Sequence, residues 1–486
     1  MSPRPTVEMR VNIHARWHMK DNLEKNNGSS QPATPRKRVL ILGGGFGGIY
    51  AARRLGRTLG KRQDIEVVLI SRENYLLFTP MLHEVAAGDL EPGDIVNSLR
   101  KMVRHVRLVQ GQVTAIDLDA RAVRYDMGAL RQPREITYDY LLLALGTETH
   151  FFGMNDVEAA ATTMKSLADA ALLHNRIIAA LEEAAQETDE SRRRRLMTFV
   201  VAGGGFAGVE TAGALNGALR HALRYYPELD ESMLRVVLVH PGTVLLPELP
   251  ESLGRYTEAR LERAGVELWL ETRVTGYDGD AVSVSAGRPI AASSLIWTAG
   301  AAPAAVLAPL TVEKFKGRVR VSERLEVSGH EGVVWAVGDC AAVPHSTGFH
   351  PPTAQHCMRE AVVAAKNIEA AIAGKAQAPF RFTMIGQLAS IGRRTGVAQI
   401  FGLRFSGFAA WWLWRTIYLA KLPGFSKKLR VAIKWSSELL FPREIEQLVT
   451  LQDVERMEKL GTILRARRGK AGPAGEGASL QIAEHP

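Results

Sequence analysis

The sequence predicts an α/β fold: two Rossmann-like dinucleotide-binding units, then a C-terminal amphipathic helical segment for membrane association. Three observations carry this. First, an apolar run enters a glycine cluster and leaves as a helix twice, in "RVLILGGGFGGIYAA" (Arg38–Ala52) and "TFVVAGGGFAGVET" (Thr198–Thr211). Second, each copy is followed by another buried-strand pattern, "IEVVLI" at Ile65–Ile70 and "LRVVLV" at Leu234–Val239. Strand–helix–strand units of this kind build parallel sheets. Third, the composition changes beyond Arg394 towards tryptophan and basic residues.

The first 35 residues hold no apolar core of a secretory leader and read as a largely disordered extension. Arg38–Leu42 is the first strand and Ile49–Leu59 its helix. Asp139–Leu145, "DYLLLAL", is a further buried strand. Leu167–Ala185 is an Ala/Leu-rich helix, and "SRRRRL" (Ser191–Leu196) reads as a solvated loop. Thr198–Ala202 and Val209–Leu223 repeat the strand and helix. Ser294–Trp297 and Gly332–Val337 are again strand-like, the latter meeting Gly338–Cys340. The expected organisation is an extension (1–35), a first dinucleotide domain in two parts (36–152 and 285–394), a second between them (153–284), a C-terminal segment (395–445) and a tail (446–486).

The bulk numbers fit several domains. The 486 residues are 46% hydrophobic and 23% charged, with a net charge of +10. The two cysteines, Cys340 and Cys357, form no C-x-x-C pair, so they read as small packing residues and not as a redox dithiol. No run reaches the roughly 18 apolar residues of a spanning helix. No cluster has metal-ligand spacing.

The G-x-G-x-x-G spacing falls on Gly43, Gly45 and Gly48, then on Gly203, Gly205 and Gly208. The first glycine allows a tight turn, the second admits a pyrophosphate, and the third lets helix and strand approach. The helix N-terminus then offers free N–H groups and a partial positive charge to the phosphates. An acid is usual about 20 residues on, to hold ribose hydroxyls. Here the two return strands end instead at Ser71, followed by Arg72, and at His240. A serine can still bond a ribose. A neutral imidazole can bond a 2′-OH without repelling a 2′-phosphate, so NADPH stays open beside NADH. Two dinucleotide cradles on one chain suit an electron relay between a bound flavin and a visiting nicotinamide nucleotide.

The ordered set "VLILGGGFGGIYAAR", "NYLLFTPMLHEVAAGDLEP", "YDYLLLALGTETHFFG", "FVVAGGGFAGVETAGAL", "LLPELPESLGRY", "LIWTAG", "VVWAVGDCA", "PPTAQHCMREA" and "WWLWRTIYLAKLPGF" covers about residues 38–443. It resembles the two-dinucleotide-binding flavoproteins, and among them the type II (non-proton-pumping) NADH:quinone oxidoreductases. The resemblance implies FAD on Gly43, Gly45, Phe46, Gly47, Gly48, Ser71, Arg72, Val113, Gly146, Asp339 and Ala354. It implies NADH on Gly203, Gly205, Gly208, Glu210, His240 and Gly300. Glu210 would position the nicotinamide, with a favourable charge at a helix N-terminus as its plainer role. Gln355 and Arg359, at i and i+4 on one helix face, would reach a quinone, either menaquinone or ubiquinone. Cys357 and Ala361 depart from the family pattern of Ala and Gly. The lack of a dithiol argues against the disulfide reductases and sulfide:quinone oxidoreductase.

Residues 404–437 carry seven basic residues, no acid, and Trp411, Trp412, Trp414 and Trp435. Trp411, Trp414 and Tyr418 share a helical face. Tryptophan favours the headgroup region and Lys/Arg favour anionic lipid, so this segment is expected to lie on an anionic membrane surface. Packing on a partner in a homodimer is the competing reading. A nucleic-acid role finds no other support. The resemblance implies the cytoplasmic face of a bacterial inner membrane. Two further readings compete with the enzyme–quinone one: a flavin reductase serving a soluble acceptor such as a ferredoxin, and a non-catalytic flavin redox sensor.

Overall fold

The computed structural model describes residues 36–128, 131–437 and 446. The N-terminal extension, the tail after Glu446 and the end of the C-terminal segment lie outside the described residues.

The first unit opens with β1 (Lys37–Leu42), α1 (Phe46–Thr58) and β2 (Ile65–Ser71), continues through the short helix α2 (Leu82–Ala86), and adds β3 (Arg107–Asp117), β4 (Ala122–Met127), β5 (Gln132–Thr137) and β6 (Tyr140–Leu143). The second contains β7 (Thr162–Thr163), α3 (Leu167–Gln186), α4 (Glu190–Leu196), β8 (Thr198–Ala202), α5 (Phe206–Ala222), β9 (Arg235–Val239), β10 (Val266–Trp269) and β11 (Ser294–Trp297). The chain then returns to the first unit with β12 (Val334–Ala336) and α6 (Ala354–Ile372). A three-stranded antiparallel sheet of β13 (Gly386–Ser390), β14 (Gly396–Ile400) and β15 (Leu403–Ser406) leads to α7 (Gly407–Lys421) and α8 (Phe425–Ser437).

The first sheet has the order β12-β6-β1-β2-β3-β4-β5, and the second β7-β11-β8-β9-β10. In both, the glycine-preceding strand pairs in parallel with its return strand: Leu42 with Ile70, and Ala202 with Val239. Residues 39–42 and 199–201 are fully buried, as strands covered on both faces must be. Two assignments change. Ser294–Trp297 pairs with β8, so the second sheet extends past residue 284. The arginine run forms α4, a short helix with no buried residue, because Asp189 caps its N-terminus and Glu190 pairs with Arg194 one turn on.

The C-terminal helices bring a larger correction. Trp414 is fully buried in the core and packs on Tyr418, while Trp411 is largely covered and lies against Phe408. The aromatic face predicted to meet lipid instead meets the core. Trp435 donates its indole N–H to Glu84 on α2 at 3.0 Å. Lys434 pairs with Glu91 at 2.5 Å and with the buried Asp94 at 3.0 Å, while Lys427 donates to the Gly93 and Val96 carbonyls. Arg415 lies between the Trp411 and Trp435 rings, 4.4 and 4.6 Å from their centroids. Much of the positive charge that suggested anionic lipid is thus matched within the chain. The outward side of these helices is different: Trp412, Phe408, Phe425, Leu429 and Ile433 are all more than half exposed. Among the described residues, no helix is long and apolar enough to cross a membrane.

The Trp435 tie predicts a measurable cost. Trp435→Ala removes a large buried ring and leaves Glu84 without this donor. The unfolding free energy should fall by about 3–5 kcal/mol in urea titrations; an unchanged midpoint would show that α8 does not dock this way.

Candidate active site

The two glycine turns are nearly superposable in their chemistry. Gly43 and Gly203 take φ of +103° and +115°, a region that only glycine enters cheaply. A Cβ on Gly48 would lie 1.8 Å from the Gly43 carbonyl oxygen, and one on Gly208 1.7 Å from that of Gly203. Helix and strand end are therefore in backbone contact. A Cβ on Gly45 would meet nothing within 4 Å, and one on Gly205 only a Glu248 oxygen at 3.8 Å. These two positions stand open at the helix N-termini, where a pyrophosphate fits.

The residues at the ends of the return strands brace the turns from beneath. Ser71 Oγ would be 2.2 Å from a Cβ on Gly44, and the His240 ring 2.5 Å from one on Gly204. Ser71 also lines the first cavity, as Arg72 does, with Arg72 held by Glu73 at 2.8 Å. His240 behaves differently from the expectation. Its Nδ1 accepts the Gly204 amide at 3.1 Å and its Nε2 is shielded from solvent. The ring supports the glycine turn and presents no nitrogen to a ribose. Burial holds its pKa below the usual value, which keeps it neutral there.

The first cradle opens a cavity of about 940 Å³ lined by Gly43–Gly47, Ser71, Arg72, Glu73, Val113, Gly146, Lys165, Asp339, Ala354 and Cys357. Gly48 lies behind this wall, in the helix–strand contact. A cradle of this size, with open glycine at the helix end and an acid opposite, fits a flavin dinucleotide. Asp339 follows β12 on a turn that Gly338 makes at φ +72°. Burial raises the Asp339 pKa, opposed by Lys165, a hydrogen bond from Thr147 and Arg318. The Gly338 amide is fixed by Glu360 of α6 at 2.7 Å. Burial pushes Glu360 up to about 7. Cys340 is buried, and Cys357 packs on the turn, its Sγ 3.1 Å from a Cβ on Gly47. Burial pushes both thiols up, so neither is a thiolate at neutral pH.

A second cavity, about 680 Å³, runs from the N-terminus of α5 to the C-terminal helices. Glu210, Gly300, Gln355, His83, Tyr418 and Lys421 line it. It shares Phe46, Thr79, Lys165 and Ala354 with the first cavity. Glu210 Oε1 accepts the Ser390 amide at 3.1 Å and the Trp414 indole N–H at 3.2 Å. Its Oε2 lies 3.7 Å from His83 Nδ1. This approach is not an ion pair: burial pushes Glu210 up to about 8 and His83 down to about 3, so both are neutral at neutral pH.

Of Gln355 and Arg359, only the first borders a cavity. Gln355 lines the cavity, its amide nitrogen donating to the Gly386 carbonyl at 2.6 Å. That leaves the amide oxygen facing other partners. Arg359 does not line either cavity. Its guanidinium stacks over Phe382 at 4.1 Å and donates to the Gln355 carbonyl at 3.0 Å. These two contacts tie it to Phe382 and the start of α6.

Several residues of the site carry no sequence signal of their own. Lys165 lines both cavities and donates to Thr147 at 2.8 Å. Its only local signal is the Ser166–Asp169 capping box that follows it. His83 and Glu360 sit inside recognised motifs, but nothing in the motif says which way a helix turns them.

Glu210 predicts a pH dependence of stability. Its folded value, near 8, lies above the ordinary 4.5. Between those limits the folded chain holds a proton that the unfolded chain has lost, so stability falls as pH rises through this window. Glu210→Gln should flatten the Tm-against-pH curve between about pH 5 and 8, read by calorimetry; an unaltered slope would mean that the carboxyl is ionised in the folded chain.

Comparison with known proteins agrees with this geometry. The model of the pyridine nucleotide-disulphide oxidoreductases matches residues 37–365, and that of the NDH2 C-terminal domain matches residues 385–444. A type II NADH:quinone oxidoreductase of Mycobacterium tuberculosis is 34% identical over 458 residues, covering 90% of this chain and 96% of that protein. One from Haemophilus influenzae is 29% identical, covering 75% and 87%. The solved structure of NDH2 from Plasmodium falciparum in complex with NADH superposes with a TM-score of 0.77 at 18% identity, over 85% of this chain and all of that one, a likeness of fold. Twin glycine cradles, the return of β12 to the first sheet and these matches along nearly the whole described length place the chain among the pyridine nucleotide-disulphide oxidoreductases, and within them it belongs to the type II NADH:quinone oxidoreductases.

Proposed function

We propose that the chain holds FAD in the first cradle, takes NADH on the second, and passes two electrons to a menaquinone or ubiquinone at a membrane surface, without pumping protons. The observation that carries this reading is the wall common to both cavities, made by Phe46, Thr79, Lys165 and Ala354. A dinucleotide laid in each cradle would have its redox end reach this wall if it extended along the cavity. FAD, when bound, supplies the two-electron carrier, and the protein supplies orientation and electrostatics.

The residues have separable tasks. The open positions at Gly45 and Gly205 receive pyrophosphates. Asp339 accepts from hydroxyls of the flavin chain, with Glu360 holding its turn. Lys165 places a cation at the common wall. Glu210 and Gly300 border the nicotinamide, and Gln355 offers an amide oxygen towards the quinone side. NADH is the expected nucleotide, and NADPH stays open because no acid follows β9. The exposed apolar face, Phe408, Trp412, Phe425, Leu429 and Ile433, supports seating on lipid, with Phe425, Leu429 and Ile433 one turn apart on α8. That makes the protein peripheral.

The purified chain should be yellow or become so with FAD. It should then oxidise NADH in the presence of short-chain menaquinone or ubiquinone analogues, faster with anionic liposomes. Slow NADH oxidation that ignores quinone would end this reading. Turnover indifferent to lipid but fast with a ferredoxin would favour the soluble reductase, and bound FAD without turnover would favour the sensor.

The surface has its own test. Replacing Phe425, Leu429 and Ile433 with serine removes three large exposed apolar groups without touching the core. Vesicle co-sedimentation should weaken by about tenfold or more. Undiminished binding would assign lipid contact elsewhere.

A further inference from the structure

The hydrogen bonds that hold Glu210 come from outside its own domain. The Ser390 amide belongs to β13 and the Trp414 indole to α7, both in the C-terminal unit. That unit is in turn fixed to the segment following β2. Trp414 packs against Trp435, 6.1 Å between ring centroids, and Trp435 bonds Glu84. Residues 83 and 84, adjacent on α2, therefore meet the two ends of one chain of contacts: His83 lies 5.5 Å from the Trp414 ring and 3.7 Å from the Glu210 carboxylate, and Glu84 holds Trp435.

We propose that Trp414 is a positioning residue for Glu210: seated by the Trp435–Glu84 tie, its indole N–H fixes the orientation and sets the charge state of the carboxyl beside the nicotinamide cradle. The proposal deepens the reading of the second cavity as the NADH site. It makes the C-terminal unit part of the nucleotide site as well as a lipid-facing surface.

The chemistry is local. Burial favours the neutral carboxylic acid, while the Ser390 and Trp414 donors favour the carboxylate. The titratable groups that face Glu210 are His83 from α2 and Tyr418 from α7. Burial drives the His83 pKa down to about 3 and the Tyr418 pKa upward, so neither supplies a charge near neutral pH. The balance at Glu210 is therefore set by burial against two N–H donors. One of these is a side chain that substitution can remove.

Trp414→Phe keeps a ring in the pocket and deletes the N–H. The protonated Glu210 carboxyl is followed by infrared difference titration of the FAD-loaded chain, with Glu210→Gln identifying its band. Trp414→Phe should raise the titration midpoint by about one pH unit. The basic limb of kcat/KM for NADH should move with it, and both signals should be absent in Glu210→Gln. A midpoint equal to that of the unmodified chain would overturn the proposal. Should Trp414→Phe fail to fold, Trp435→Phe decides, since it deletes the N–H that ties α8 to Glu84 and keeps a ring beside Trp414: an upward move supports the proposal and no move overturns it. The infrared readout needs no turnover, so a chain that proves inactive with NADH would count against the proposed function and leave this test standing.

Discussion

The contact on which the rest depends is the one between a helix backbone and the end of a strand, made twice. Gly48 touches the Gly43 carbonyl and Gly208 the Gly203 carbonyl so closely that no Cβ fits. That contact fixes the axis of each helix against its sheet and leaves the next amides free at the helix N-terminus. Pyrophosphate affinity follows from those free amides and the helix dipole. The common wall of the two cavities is a consequence of placing two such devices on sheets joined by two crossings of the chain.

The C-terminal unit shows how composition can mislead about the direction in which side chains face. A run of basic and aromatic residues without an acid has no internal counter-charge within itself. Its counter-charges lie more than 300 residues away, on Glu91 and Asp94. Asp94 is fully buried, and a buried carboxylate needs paired cations or hydrogen bonds. Lys434 meets that need. Trp414 and Trp435 turn inward beside it. Trp412 and the Phe425–Leu429–Ile433 row of α8 are left as the outward face.

The same logic separates the two polar residues of α6. Both Gln355 and Arg359 occupy one helix face, yet only Gln355 borders the cavity. Phe382 offers the guanidinium an aromatic face at 4.1 Å. A cation stacked on a ring and bonded to a carbonyl gains little by reaching into an apolar cavity. Likewise His240 accepts an amide from the turn beneath which it lies, because a buried backbone N–H must find an acceptor.

The sequence by itself determined the two sheets' central strands, both glycine turns, the acid after β12 and the family, because these rest on local periodicity and on residue types that a tight turn requires. Tertiary structure alone decided that Ser294–Trp297 joins the second sheet, that the arginine run is helical, and which faces of α7 and α8 point inward. It also decided that Lys165, His83 and Trp414 converge on the cavities. The reason is physical: a side chain's partner across space is set by packing between distant segments, and one-dimensional spacing carries no record of that partner.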